Sequence, residues 1–268
     1  MKYIVSFTTS PKRIGKCQIM LKSILSQSKQ PDLVILNIPK VFARTGETYN
    51  VPQIVSQNCV VNVCDTDYAP ATKIVPTIKY LNEKGYNKDN TRIIYLDDDI
   101  SYMKKMIEAF DEVSSDNDYI WCVSGFNFYN LNIIAANGHG RRCDIAEGYG
   151  GVCVKLSCFE DDFVDYINKY MIYPEIKLSD DVLISNYFHL KGRIIKILDV
   201  KDKCSRRDMW LHGCILDYGN QTDALHLGAD NTSDTNTSRY KRAIYKFNVL
   251  KERYFPLYFV HNNAILVK

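Results

Sequence analysis

Four short apolar runs occupy the first hundred residues: 3 to 8, Leu33 to Ile38, Val60 to Val63 and Ile93 to Leu96. Between them lie stretches with helical spacing at about Ile14 to Ser26 and Ile74 to Leu81. Runs this short and rich in Ile and Val suit strands buried on both faces. Strand alternating with helix yields a mostly parallel central sheet with helices on both sides. The pattern therefore constrains the chain to the α/β class with a Rossmann-like layout. Its 268 residues, 46% of them hydrophobic, suffice for one full core, and we read them as one domain.

The fourth run ends abruptly. Arg92-Ile93-Ile94-Tyr95-Leu96 delivers Asp97-Asp98-Asp99 to the C-terminal end of a strand, where open α/β sheets hold their ligands. Three adjacent carboxylates repel one another, so a cation, basic side chains or backbone donors must offset them. In an extended segment Asp97 and Asp99 point to one side and Asp98 to the other. The first and third can then share a divalent ion, and Mg²⁺ or Mn²⁺ suits such hard oxygen ligands. The competing reading is a solvated acidic turn leading into a helix over about Tyr102 to Glu112, since acids favour a helix N-terminus.

A net charge of +3 is too mild for a chain that recruits nucleic acid through a basic surface, so no nucleic-acid partner is expected. The nine cysteines form no C-x-x-C pair, and several sit in apolar runs where thiols act as small hydrophobes. This usage suits a reduced, cytoplasmic setting. The N-terminus lacks a signal-peptide core, and no apolar stretch approaches the roughly 20 residues that span a bilayer. The sequons at Asn220, Asn231 and Asn236 are then expected to stay unmodified.

Beyond Asp99 the rhythm becomes irregular. Strands are expected at Tyr119 to Ser124, Val152 to Val154 and Ile194 to Leu198, and helices at Asp161 to Tyr170, Asp181 to Leu190 and Arg239 to Leu250. The glycine-containing segment Asn137 to Gly151 reads as loop. So does the polar stretch Gly219 to Ser238, whose length suggests a functional segment. The aromatic tail from Tyr254 to Phe259 is expected to pack back on the body.

Several motifs, in order, match one branch of a known superfamily. They are Ser6-Phe7-Thr8-Thr9-Ser10-Pro11-Lys12-Arg13-Ile14, Asp67-Tyr68-Ala69-Pro70-Ala71-Thr72-Lys73, Tyr95 to Asp99, Gly148-Tyr149-Gly150-Gly151-Val152 and Leu178-Ser179-Asp180-Asp181-Val182-Leu183-Ile184-Ser185. Over about residues 3 to 200 the chain resembles the GT-A nucleotide-sugar glycosyltransferases, in a branch found in bacteria and large DNA viruses. The ordered set is far more specific than any one motif.

The resemblance implies a nucleotide-binding half up to about residue 100, an acceptor half from about 101 to 240, and a C-terminal helix and tail over 241 to 268. It implies that Thr8, Thr9 and Ser10 cradle the nucleotide with Arg13 near the base or diphosphate. Asp67 would contact the nucleoside and Lys73 would grip a phosphate or balance the acids. Asp97 and Asp98 would lie against the donor, and Asp97 and Asp99 would hold Mn²⁺ or Mg²⁺. On the acceptor side, Gly150, Gly151 and Asp180 would meet the acceptor, with Asp181 as the base that deprotonates its hydroxyl. Glu147 could meet a sugar hydroxyl, Trp210 could stack on a sugar, and His226 lies where some relatives place a third metal ligand.

Residue chemistry alone permits blander readings beside these. Ser10 and Pro11 can be a helix cap and first helical residue, Lys73 a surface lysine, and Asp180-Asp181 a helix-start pair. The expected function is metal-dependent transfer of a sugar from a nucleotide donor, UDP-linked, to a glycan or glycoconjugate hydroxyl with inversion. A metal-dependent nucleotidyltransferase or phosphohydrolase, or a non-catalytic carbohydrate-binding protein, are the alternatives.

Overall fold

The apolar run at the N-terminus forms strand β1 (Lys2–Thr8). Tyr3, Val5 and Phe7 turn to one face and Ile4 and Ser6 to the other, all buried. The computed structural model describes residues 1–129, 132–136, 138–198, 236–255, 258–261 and 264–267. After β1 come α1 (Cys17–Leu25), β2 (Leu33–Pro39), α2 (Gln53–Ser56), β3 (Val60–Cys64), α3 (Val75–Glu83) and β4 (Thr91–Tyr95). Then follow α4 (Met106–Ser114), β5 (Ile120–Tyr129), β6 (Asn132–Ala135), β7 (Ile145–Lys155), α5 (Phe163–Met171), α6 (Pro174–Lys177), α7 (Asp180–Leu190) and β8 (Ile195–Ile197). The last described elements are α8 (Asn236–Val249), β9 (Tyr258–His261) and β10 (Ala264–Val267).

The described strands form one sheet in the order β10-β9-β5-β7-β4-β1-β2-β3, with β6 and β8 also paired to β5. Strands β3, β2, β1 and β4 run parallel, as the alternating pattern of the first hundred residues requires. Strand β7 then enters antiparallel between β4 and β5. Met20, Leu21 and Ile24 of α1 and Ile107 and Phe110 of α4 cover the face of Tyr3, Val5 and Phe7. Val75, Ile78 and Leu81 of α3, with α5, α7 and α8, cover the other. Each apolar side chain buried this way contributes roughly 1.5–3 kcal/mol. Stripping either helical layer would thus exceed the ~5–15 kcal/mol net stability of a domain.

Strand β7 departs from the sequence reading, which gave loop up to Gly151. Glycines at 148, 150 and 151 depress strand propensity, but the strand is pinned on either side of them, to β5 at Ile145, Ala146 and Glu147 and to β4 and β5 from Val152 onward. The helix expected from Tyr102 starts only at Met106. The polar segment expected as loop up to Ser238 already contains the start of α8 at Asn236, and its remainder lies outside the described residues.

One polar cluster interrupts the core under the sheet's C-terminal edge. The Asn37 amide donates to Ser6 Oγ at 3.1 Å and Thr77 Oγ1 at 2.8 Å, and its oxygen accepts from Asn62 Nδ2 at 2.8 Å. Ser6 Oγ in turn donates to the carbonyl of Lys73. Asn37 and Ser6 are fully buried, so these bonds have no water to replace them. Asn37→Leu is expected to cost about 2–3 kcal/mol in urea denaturation, because Ser6, Thr77 and Asn62 each lose one of their partners at once. A loss below about 0.5 kcal/mol would show that the network is structurally idle.

The seven described cysteines are all free thiols. Cys122 and Cys143 are buried with sulfurs 3.6 Å apart, and burial pushes the Cys153 thiol up to about 12. Among the described residues no helix is long and apolar enough to cross a membrane.

Candidate active site

The extended backbone of β4 stops at Tyr95, and Asp98 and Asp99 sit in a tight turn. Side-chain alternation therefore does not govern the triplet, and the three carboxylates divide among basic and hydroxyl partners. Asp98 is buried, its two oxygens engaged by the Arg13 guanidinium and the Thr9 hydroxyl. Arg13 Nη2 also lies 3.1 Å from Asp99 Oδ2. Asp97 turns the other way, to Lys73 Nζ at 2.5 Å. Basic side chains thus offset the acids, as the cost of three adjacent carboxylates demands.

Lys73 ends a 3₁₀ turn, Ala69–Lys73, which leads from β3 into α3. Its side chain is 6% exposed, and the ammonium also lies 3.0 Å from Asp180 Oδ2. Burial alone would lower its pKa. The carboxylates of Asp180, Asp97 and Asp181 outweigh that and hold it well above the ordinary lysine value. A surface lysine is ruled out: Lys73 ties the end of β4 to the start of α7.

Asp67 serves the same segment from its other end. One oxygen accepts the Ala69 N–H at 2.7 Å and the other the Ala43 N–H at 2.8 Å. Ala69 has φ +52°, a left-handed conformation costly for a residue with a Cβ, and the Asp67 bond holds it there. The hydroxyls of the first motif are likewise engaged. Thr8 donates to the Asn37 carbonyl at 2.8 Å, and Thr9 to Asp98. The Ser10 carbonyl closes the turn, accepting the backbone N–H of Arg13 and of Ile14 at 3.0 Å each.

Asp180 and Asp181 occupy the first turn of α7, both buried. Asp181 Oδ1 accepts the Gly148 N–H at 2.9 Å, and Oδ2 accepts the Tyr240 O–H at 2.6 Å. Burial and the charge of Asp180, opposed by Lys73, hold the Asp181 carboxyl well above the ordinary carboxylate pKa. A raised pKa makes the ionised carboxylate a stronger proton acceptor than an exposed aspartate.

These groups line one cleft of about 400 Å³ at the C-terminal edge of the parallel strands. Thr8, Thr9, Ser10, Arg13, Asp67, Lys73, Asp97, Asp98, Asp99, Asp180 and Asp181 all reach it. Gly150 and Gly151 are not among the residues that line it. A Cβ on Gly151, at φ +88°, would meet Met106, Phe110 and Ile94, and one on Gly150 would press on Val123 and Ser124 at 3.2 Å. Both glycines answer to packing. Gly148 is the glycine of that motif at the site: a Cβ there would lie 2.8 Å from Lys73 Nζ and 3.4 Å from Asp181 Oδ1. Glu147 accepts the Ser124 hydroxyl at 2.6 Å and is not among the cleft-lining residues. Trp210 and His226 lie outside the described residues.

Sequence reasoning missed the cleft's other wall. Lys177, Arg239 and Tyr240 line it opposite an arm that includes Phe42, Arg44 and Tyr49, whose hydroxyl donates to the Thr9 carbonyl at 2.9 Å. Nothing in the local sequence marks Tyr240, which meets Asp181 from 59 positions further along the chain.

Asp97 and Asp99 present carboxylate oxygens to the cleft. Burial and the neighbouring Asp98 push the Asp99 carboxyl to about 7 despite Arg13, so negative charge there is under-compensated. Among the described residues no three His, Cys, Asp or Glu side chains form a metal-holding group. Magnesium-type ions need only one or two carboxylates when phosphate oxygens and water complete the shell, so the acids fit.

A scan against family models finds no match for the sequence, and no curated protein matches it. Among solved structures, the chain is similar to a 2-C-methyl-D-erythritol 4-phosphate cytidylyltransferase of Francisella tularensis at 13% identity and TM-score 0.42, covering 74% of this chain and 89% of that one. It is similar to a galactosyltransferase, LgtC, in complex with donor and acceptor sugar analogs, at 10% identity and TM-score 0.41, covering 74% and 73%. It is also similar to the glycosyltransferase GlyE of Streptococcus pneumoniae at 11% identity and TM-score 0.41, covering 94% and 64%. Likeness this distant leaves the cleft's chemistry to be argued from its own residues.

Proposed function

We propose that the protein transfers a sugar from a nucleotide donor, UDP-linked, to an acceptor hydroxyl with inversion at the anomeric carbon. The observation that carries this reading is the Lys73 bridge, which draws two acid groups more than eighty residues apart to a single cation in one cleft. A single in-line displacement needs both parts in one site: charge compensation for a leaving diphosphate, and a base for the attacking hydroxyl. The resemblance of the ordered motifs to nucleotide-sugar glycosyltransferases supports the same assignment.

In this reading Arg13 and Lys73 face the donor's phosphates, while Asp67 holds the loops that shape the nucleoside end. Asp181 receives the acceptor's proton as the new bond forms and the nucleoside diphosphate departs. Asp97 and Asp99 would hold Mn²⁺ or Mg²⁺, which when bound neutralises charge on the diphosphate. The acceptor is a glycan or glycoconjugate.

The direct test is a panel of nucleotide sugars incubated with Mn²⁺, read as release of the nucleoside diphosphate. Slow hydrolysis of UDP-sugars is the expected result. Cleavage of plain nucleoside triphosphates instead would favour phosphohydrolase chemistry, and thermal stabilisation by Mn²⁺ and UDP with no turnover would favour a binding protein.

Asp99→Asn tests the metal assignment. An acid whose pKa rises on folding from 3.8 to about 7 destabilises the fold above pH 7, and ceases to do so as the pH falls towards 4. In chelator-treated protein the substitution is therefore expected to add about 2–4 kcal/mol of stability at pH 8, the gain fading with acidification. With Mn²⁺ and UDP present the same variant should lose the thermal shift of the wild type. Undiminished Mn²⁺-dependent UDP affinity in calorimetry would refute the ligand role.

A further inference from the structure

The C-terminal helix reaches the cleft through Arg239 and Tyr240, and we infer that Tyr240 is a positioning residue that fixes the Asp181 carboxylate for proton transfer. The inference rests on the proposed role of Asp181 as the base.

Tyr240 is 7% exposed, and its hydroxyl donates to Asp181 Oδ2 at 2.6 Å. Its ring stacks on Phe126 of β5, centroids 5.1 Å apart and planes 23° off parallel, so this packing fixes the direction in which the hydroxyl points. The helix that carries it is fixed in turn. Ala243, Ile244 and Phe247 are buried, and the Phe247 ring lies 5.0 Å from Tyr170 of α5. Lys246 pairs with Glu175 of α6 at 3.5 Å. Just past the helix, Asn186 of α7 donates to the Glu252 carbonyl at 2.9 Å and accepts the Tyr254 N–H at 2.8 Å. Helix α8 and the helix that carries Asp181 are thus bolted together, and Tyr240 closes the connection at the reacting group.

The consequence is geometric. With the Gly148 N–H on Oδ1 and the Tyr240 O–H on Oδ2, each oxygen accepts one donor and retains a second lone pair. Two donors on two oxygens hold the carboxyl plane in one orientation at the cleft, so the free lone pairs need not be re-aimed when an acceptor arrives. In the step itself the acceptor's proton passes to Asp181, the new glycosidic bond forms, and the bond to the diphosphate breaks. Tyr240 keeps its own proton throughout. Burial and the adjacent Asp181 hold the phenol well above its ordinary pKa, which suits a permanent donor.

Tyr240→Phe removes one oxygen and keeps the ring on Phe126. UDP release from UDP-glucose, UDP-galactose and UDP-N-acetylglucosamine with Mn²⁺ is the readout, beside UDP affinity. We expect kcat to fall about tenfold to a hundredfold while UDP affinity stays within about twofold. In an Asp181→Asn background the second change should add no further loss. An unchanged kcat for Tyr240→Phe beside an inactive Asp181→Asn overturns the inference and spares the base assignment. A near-wild-type rate for Asp181→Asn overturns the base assignment itself, and the inference with it. Losses that multiply in the double variant also overturn the inference, because Tyr240 would then act on something other than Asp181. Should Tyr240→Phe lose native UDP binding, Phe126→Leu loosens the ring's support and leaves the hydroxyl. The same kcat-selective loss is expected there, and a wild-type kcat counts against the role.

Discussion

Asp181→Asn is expected to reduce turnover by about 10²–10⁴ while leaving donor affinity nearly intact, the loss typical of removing a general base. The substitution is close to isosteric. The amide oxygen can still accept the Gly148 N–H, and the amide nitrogen can face the Tyr240 oxygen, so the local structure has no reason to collapse. What disappears is the ability to take a proton in the cleft. Steady-state kinetics with the active nucleotide sugar, paired with UDP titration, separates the two quantities. A rate within about threefold of wild type would place the base elsewhere, since general-base losses are far larger.

Lys73→Met is expected to cost about 3 kcal/mol of folding stability and to abolish productive donor binding. Removing one partner of a buried ion pair typically costs about 3–5 kcal/mol, because the other charge stays uncompensated. Here two carboxylates are stranded. The lower end of the range applies because the Asp97 side chain is 34% exposed and can hydrate, whereas Asp180 is 9% exposed and cannot readily do so. Adding Asp180→Asn to Lys73→Met should therefore recover part of the loss in urea denaturation. A Lys73→Met protein within about 0.5 kcal/mol of wild type would mean that the bridge does not bear on stability.

How much of this was legible from residues alone differs along the chain for physical reasons. The four strands of the parallel half announce themselves because each is a short apolar run flanked by helical spacing; burial on both faces demands that composition in β1, β2 and β4, while the edge strand β3 is only partly buried. Only the Val152 to Val154 end of β7 was readable, because the glycines before it answer to tertiary demands. Gly148 admits Lys73 beside it, and Gly151 lies against Met106 and Phe110 at a positive φ. The acids and bases of the cleft were recognisable as residue types. Their roles depended on contacts that no spacing encodes: Asp67 turned to two backbone N–H groups, and Asp98 was engaged by Arg13 and Thr9 while Asp97 faced Lys73. Tyr240 carried no local signal at all, because its partner is reached only after α8 docks on α7.

The buried thiols make the protein its own reporter of breathing motions. Cys17 lies in α1 on one face of the sheet, Cys153 within β7, and Cys122 and Cys143 beside each other on the opposite face, all shielded from solvent. An alkylating reagent can reach each only when its layer opens, and the raised thiol pKa values of Cys17, Cys122 and Cys153 suppress their reaction in the closed form. Site-resolved labelling rates would then rank the opening free energies of the two helical layers without any engineered probe. They would also tell whether occupying the cleft with a nucleotide tightens both layers or only one.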